Sequence, residues 1–260
     1  MGPQTQWLPG FEKLQIPKWP GGAYVDRGAG LWKILLHTTE GPSIEAAVAA
    51  YKTTSAPPHV TVDLDQQRYV QHVPLGRSAY ALRNMRGGTQ TNRDHVIQVE
   101  MVGYARDTRT WPPLKLMRLA SVLEQLMDAV PDVDLHFANF DYNDSAEYGL
   151  GNPVEMTAGE WDAFSGILGH VHAPENTHWD PGALDTDALL ALMTAGEQGN
   201  MAHFEKYTDP NTGFECITVE HQGKVHFRQF SQARGEGQVI QGLGYVAPEL
   251  ESLGLIERVR

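Results

Sequence analysis

Three imidazoles and a carboxylate fall within the stretch 169–182, as His170, His172, His178 and Asp180. The residues around them suggest a chain leaving a helix for a turn. Neutral imidazole nitrogens and carboxylate oxygens are the usual ligands of Zn²⁺, and a catalytic zinc takes three protein ligands and leaves a fourth position open. A further ligand must then arrive from elsewhere, so the fold has to bring a distant segment against this one. The best source is the apolar run 32–36, which has strand character and delivers His37 at its end, just before Gly41 and Pro42. A polar side chain closing an apolar strand needs a partner if it is buried.

The individual residues each admit a plainer reading. His170 and His172 are two apart, and on an extended segment both would share a face, so either can be the ligand. Asp180 precedes Pro181 and Gly182, where an aspartate can serve only to start a turn. Glu100 lies in the apolar run 96–102, where it either points to solvent by strand alternation or faces a site that compensates a buried carboxylate. His72, His95, His136, His203, His221 and His226 stand alone and receive no functional role.

The formal charge of −12, from 20 basic and 32 acidic residues, argues against a binder of nucleic-acid phosphates, which rests on clustered positive charge. Cys216 is the single cysteine, so neither an intramolecular disulfide framework nor a cysteine-rich zinc site is available. No charged segment followed by an apolar one opens the chain, and no run approaches the ~18 apolar residues of a membrane span. The expectation is a protein made in the cytoplasm without a standard signal peptide, and no membrane insertion.

Residues 1–30 are rich in Pro, Gly and Trp without a period and read as an extended arm on the main domain. Regular structure is expected from Leu31. After the His37 strand, Ser43 can cap a helix carrying Ile44, Ala47, Val48 and Tyr51 on one face. The runs 59–64 and 68–73 flank Asp65-Gln66-Gln67 as a β-hairpin. Residues 76–94, with Arg83, Arg86, Gly87, Gly88 and Asn92, form a long loop, a length often tied to function, with room for substrate beneath it.

A strand at 95–102 leads to a helix introduced by Pro112-Pro113 and striped by Leu116, Leu119, Leu123, Leu126 and Val130. Thr157 and Glu160 form a capping box, with Trp161, Phe164, Leu168 and Val171 following, which predicts a helix running toward His170. Another helix is expected from about Asp185. Strands alternating with helices predict an α/β (α+β) domain over 31–195, a central mixed β-sheet flanked by helices. Residues 194–200 read as a linker. Beyond them, 216–220 and 224–228 suggest a hairpin in a small β-rich C-terminal module, 201–260, either a cell-wall-binding unit or a lid on the catalytic domain.

Taken together, four segments resemble the type 2 N-acetylmuramoyl-L-alanine amidases, the family that also holds peptidoglycan recognition proteins and many phage endolysins. The matching residues are Leu35-Leu36-His37-Thr38, Val96 to Gly103 with Glu100, Gly169-His170, and Asp180-Pro181-Gly182. The resemblance spans about residues 30–195. It implies Zn²⁺ held by His37, His170 and Asp180, with His170 preferred over His172 by the Gly-His match. It also implies Glu100 as the acidic catalytic residue and His178 as the stabiliser of the tetrahedral oxyanion, where relatives often place Lys. The implied substrate is bacterial peptidoglycan, cut between N-acetylmuramic acid and L-alanine, and the implied setting is a phage endolysin acting on the cell wall. Two rivals stand beside it: a peptidoglycan-binding protein without catalysis, and a zinc peptidase acting on another cell-wall bond.

Overall fold

The computed structural model describes residues 6–17, 19, 21–24, 31–142 and 154–197, and the backbone of the strands in 203–230. By backbone contacts the chain divides into two compact units, Met1–Leu190 and Ala191–Arg260.

The larger unit is built on a six-stranded mixed sheet. In chain order its strands are β1 (Glu12–Lys13), β2 (Lys33–Thr38), β3 (Val60–Asp63), β4 (Arg68–Gln71), β5 (Val96–Met101) and β6 (Gly166–Gly169). Across the sheet they run β1-β4-β3-β5-β2-β6. The pairs β3–β5, β5–β2 and β2–β6 are parallel, and β3–β4 is the antiparallel hairpin expected from the sequence. All six residues of β2 are buried, as expected for a central strand with both faces covered. The residues 6–17 do more than lie on the domain: β1 adds a parallel edge strand to β4, and Ile16 joins a core cluster with Ile44, Ala47, Val48, Tyr51, Val70 and Val102.

The helices are α1 (Ile44–Thr54), α2 (Pro113–Ala129), α3 (Ala158–Ala163) and α4 (Thr186–Glu197). Ser43 Oγ accepts the Ala46 N–H at the start of α1, and the buried face is the expected Ile44, Ala47, Val48 and Tyr51. Pro113 opens α2, whose missing N–H costs nothing in the first turn, and Leu116, Leu119, Leu123 and Leu126 are buried along it.

Two expectations need correction. The helix toward His170 stops at Ala163, although its Thr157–Glu160 capping box forms. The run Gly-Ile-Leu-Gly is instead the strand β6, paired with β2 in parallel register. Gly166 has φ +132, and a Cβ there would run into the His136 carbonyl, so this sharp turn onto the sheet requires glycine. His170 is therefore delivered by a strand and begins a short 3₁₀ turn, His170–His172. The linker expected at 194–200 is helical through Glu197 as the end of α4; residues 198–200 lie outside the described ones.

The smaller unit contains a three-stranded antiparallel sheet, β7 (His203–Thr208), β8 (Glu215–His221) and β9 (Lys224–Phe230), in that order. It includes the expected hairpin, whose turn residues 222–223 lie outside the described ones.

Candidate metal and catalytic centre

Strand register assembles half of the site. His37 on β2 pairs with Glu100 on β5, and Glu100 pairs with Thr61 on β3. Paired residues share a face, so these three form one row, in which His37 and Glu100 lie near the C-terminal ends of parallel strands, where open α/β sheets bind ligands. On the other side of β2, Gly169 pairs with Leu36, so the next residue, His170, emerges beside His37. A Cβ on Gly169 would meet Pro181, and that close approach lets the chain return to Asp180.

The other half is an excursion, 170–180, closed by the Val171 N–H donating to the Asp180 carbonyl at 2.9 Å. The Tyr142 hydroxyl donates to the Trp179 carbonyl at 2.6 Å, anchoring the residue before Asp180. Asn176 bridges the interior: its Nδ2 donates to the His170 carbonyl at 3.1 Å and to that of Ala173, and its Oδ1 accepts the His178 N–H at 2.6 Å.

Three potential ligand atoms converge. His37 Nδ1 and His170 Nδ1 are 3.1 Å apart, and each lies beside a different oxygen of Asp180, at 3.3 and 3.2 Å. Ligands of a tetrahedral zinc at ~2.0–2.1 Å are themselves ~3.3 Å apart; the two nitrogens are near that spacing, and one ligand atom from each of the three residues lies within 4.8 Å of the others. All three residues are buried. Of the described residues, they form the one group of histidine and acidic side chains close enough to hold a metal.

The charges at the centre are tightly coupled. Burial would raise the Asp180 carboxyl, but the charge of His170 and hydrogen bonds from His170, His178 and His37 hold it well below the usual range. Burial lowers His170 to about 4 against the pull of Asp180. His37 is also disfavoured by burial, yet its hydrogen bond to Asp180 and the charge of Glu100 raise it. Two Nδ1 atoms facing each other at 3.1 Å leave room for one proton between them, and His37 has the extra carboxylate beside it. An ionised Asp180 is a carboxylate donor a zinc ion can use, and each histidine would bind the ion in its neutral form.

Glu100 faces this cluster with Oε2 shielded from water and without a hydrogen-bond partner. Burial pushes its carboxyl up to about 7; His37 pulls it down, while Asp180 and Glu40 push it further up. A carboxylate poised near neutrality suits proton transfer. His178 is the exposed member, with 55% of its side chain open to solvent. Its ring stacks on that of His170, centroids 4.0 Å apart and 14° from parallel, with Nδ1 3.4 Å from Asp180 Oδ1.

His172 is not part of this centre. Its Nδ1 accepts the Gly169 N–H at 2.9 Å and its Nε2 donates to the Asn139 carbonyl at 2.8 Å, so both nitrogens are committed to backbone. The loop 76–94 is irregular throughout and is fastened twice to the elements of the site. Gln98, two residues before Glu100 on β5, accepts the Ala81 N–H at 2.8 Å and donates to Asn92 at 2.9 Å. The Thr89 N–H donates to Glu175 within the excursion at 3.1 Å. Sequence reasoning overlooked Asn176; the available signal was an Asn two residues before a backbone N–H in a turn, where its side chain often accepts.

A mixed sheet carries at its edge a His–His–Asp cluster that could hold a metal ion, with a raised glutamate beside it. The Amidase_2 family model, described as N-acetylmuramoyl-L-alanine amidase, matches residues 29–183. The chain belongs to this family and is an N-acetylmuramoyl-L-alanine amidase acting on peptidoglycan. Among solved structures, the chain is similar to the Staphylococcus aureus hydrolase AmiA, crystallised in complex with its ligand. The identity is 16%, with 75% of this chain and 87% of that one covered at a TM-score of 0.48. It is also similar to a selenomethionine derivative of AmpD, at 16% identity, with 74% and 99% covered and a TM-score of 0.43. No curated protein sequence matches the chain. Among the described residues, no helix is long and apolar enough to cross a membrane.

Proposed function

We propose that this amidase is zinc-dependent, with the metal held by His37, His170 and Asp180. The observation that carries the proposal is the convergence of the two Nδ1 atoms, 3.1 Å apart, on the two oxygens of the Asp180 carboxylate at 3.3 and 3.2 Å, beside Glu100. When bound, zinc supplies Lewis acidity and makes water nucleophilic near neutral pH. Glu100, raised to about 7, accepts a proton as water attacks the carbonyl of the lactyl–L-alanine amide, and returns it to the leaving amine. His178 donates an imidazole N–H to the oxyanion that develops; its exposed place at the rim leaves it open to substrate. The wider reading is a phage endolysin, which rests on the resemblance to a family rich in such enzymes; the reading of 201–260 as a wall-binding module or a lid rests on the sequence pattern of that segment alone.

The test is to purify the chain, measure its metal content, and assay release of muropeptide amino termini before and after chelation. Loss of activity on chelation and its return with Zn²⁺ is the expected result. Undiminished turnover after the metal is stripped would refute the zinc assignment while leaving the amidase activity itself intact.

A further inference from the structure

The members of the centre are not held equally. His37, His170 and Asp180 are enclosed by protein, and burial keeps them in place. His178 is half open to water, and confining an exposed imidazole to one rotamer costs conformational entropy. Something other than packing must place it. The stack on His170 sets the ring plane and Nδ1 lies 3.4 Å from Asp180 Oδ1, but both contacts form only if the backbone of His178 is already in reach of them.

Asn176 meets that requirement. Its Oδ1 accepts the His178 N–H at 2.6 Å, and its Nδ2 donates to the His170 carbonyl at 3.1 Å. The amide orientation follows from its partners, because Nδ2 faces two carbonyls, which only accept, and Oδ1 faces an N–H, which only donates. One side chain thus ties together the backbones of the two residues whose rings stack. The turn that aims Asn176 inward is set just before it, where Glu175 adopts φ +59 and its carboxylate caps the Thr89 N–H. Asp180 has its own tie, through Val171, so the ligand set does not depend on Asn176 in the same way.

We infer that Asn176 is a positioning residue for the amidase reaction: it holds His178 stacked on His170, so that the His178 imidazole meets the developing oxyanion. The functional half of this inference rests on the proposed role of His178; the structural half does not.

The experiment uses the full-length zinc-loaded enzyme and four variants: Asn176→Ala, Asn176→Ser, His178→Ala and the double Asn176→Ala/His178→Ala. Three quantities are read for each: zinc content, kcat and KM on a soluble muropeptide, and the NMR shifts of the His178 ring protons, which the His170 ring current displaces at a centroid distance of 4.0 Å. Asn176→Ala should keep zinc, lose the ring-current displacement, and lower kcat about 10- to 100-fold with KM little changed, as expected when a reacting group is misplaced by about an ångström. Asn176→Ser, whose hydroxyl can still accept the His178 N–H, should restore part of both the displacement and kcat. The double variant should be no slower than His178→Ala.

An unchanged ring-current displacement in Asn176→Ala overturns the inference. Loss of zinc from Asn176→Ala also overturns it, since Asn176 would then support the ligand loop as a whole. So does a double variant whose loss equals the product of the single losses. If His178→Ala turns over normally, the oxyanion role of His178 fails, and the ring-current displacement alone decides whether Asn176 places that ring.

Discussion

The two halves of the centre are fixed by different physics. His37 and Glu100 sit in adjacent strands of one sheet, in direct register, and a one-residue slip of either strand would turn its residue to the opposite face. His178 and Asp180 sit in an excursion with no regular structure beyond a short 3₁₀ turn; Val171 and Tyr142 donate hydrogen bonds to its carbonyls, and Asn176 accepts the His178 N–H. The strand half is cooperative with the whole core. Two of the excursion's ties are single side chains, Asn176 and Tyr142, that substitution can remove one at a time.

The largest effect is expected where the two halves meet. His170 leaves a strand and enters the excursion, and His170→Ala should abolish zinc retention and with it nearly all turnover, measured by metal content and muropeptide release. Retention of full zinc would mean that the strand half holds the metal without it. Next, Glu100→Gln keeps the shape of the strand-borne group and removes its basicity. It should cost ~10²–10⁴ in kcat, the usual range for a general base, while zinc and the unfolding midpoint stay at wild-type values. Near-normal turnover would reduce Glu100 to a sheet residue.

On the excursion side, His178→Ala should cost ~10²–10³ in kcat, as for loss of one oxyanion donor, again with zinc kept. His178→Lys should recover part of that loss, because an ammonium can serve the same charge. If His178→Ala releases zinc and Asp180→Ala does not, the ligand set has to be redrawn with His178 in place of Asp180.

The strand half also depends on two other imidazoles, and pH can probe them separately. His59 Nδ1 accepts the N–H of Gln98 on β5 at 2.9 Å, and His72 is hydrogen-bonded to Thr61, the register neighbour of Glu100, at 2.9 Å. Burial lowers both to about 4 against backbone hydrogen bonds that pull the other way. Because the folded values lie below the ordinary 6.5, the unfolded chain binds more protons between these limits. Stability is therefore full above about 6.5 and falls as pH drops toward 4. At pH 5.5 the loss is roughly 1 kcal/mol for each histidine. Urea unfolding of wild type and His72→Gln from pH 7.5 to 5 should show a shallower decline in the variant; equal slopes would remove His72 from this account.

The same division governs what could be read from the sequence. His37 and Glu100 were legible because a polar residue in an apolar strand is a local signal, and a strand places it in one of two directions. The faces of α1 and α2 were legible from their period. β6 was not: four residues carry too little pattern to separate strand from helix, and Leu168 and Val171 continued the spacing of Trp161 and Phe164. Parallel pairing with β2 decides the matter, and that contact is non-local. Spacing also left His170 and His172 equivalent, until the Gly169 and Asn139 backbone claimed both nitrogens of His172. Asn176 was missed because its value lies in joining two backbones, which no single-residue pattern displays.

The central claim, that strand and excursion converge on one zinc, is tested most directly by metal analysis of three preparations side by side: wild type, Glu100→Gln and His170→Ala. About one zinc per chain in the first two and little in the third is the predicted result, since in the proposed mechanism Glu100 acts on water and His170 on metal. A fully active wild-type preparation without zinc, or a Glu100→Gln protein that has lost it, would contradict the account.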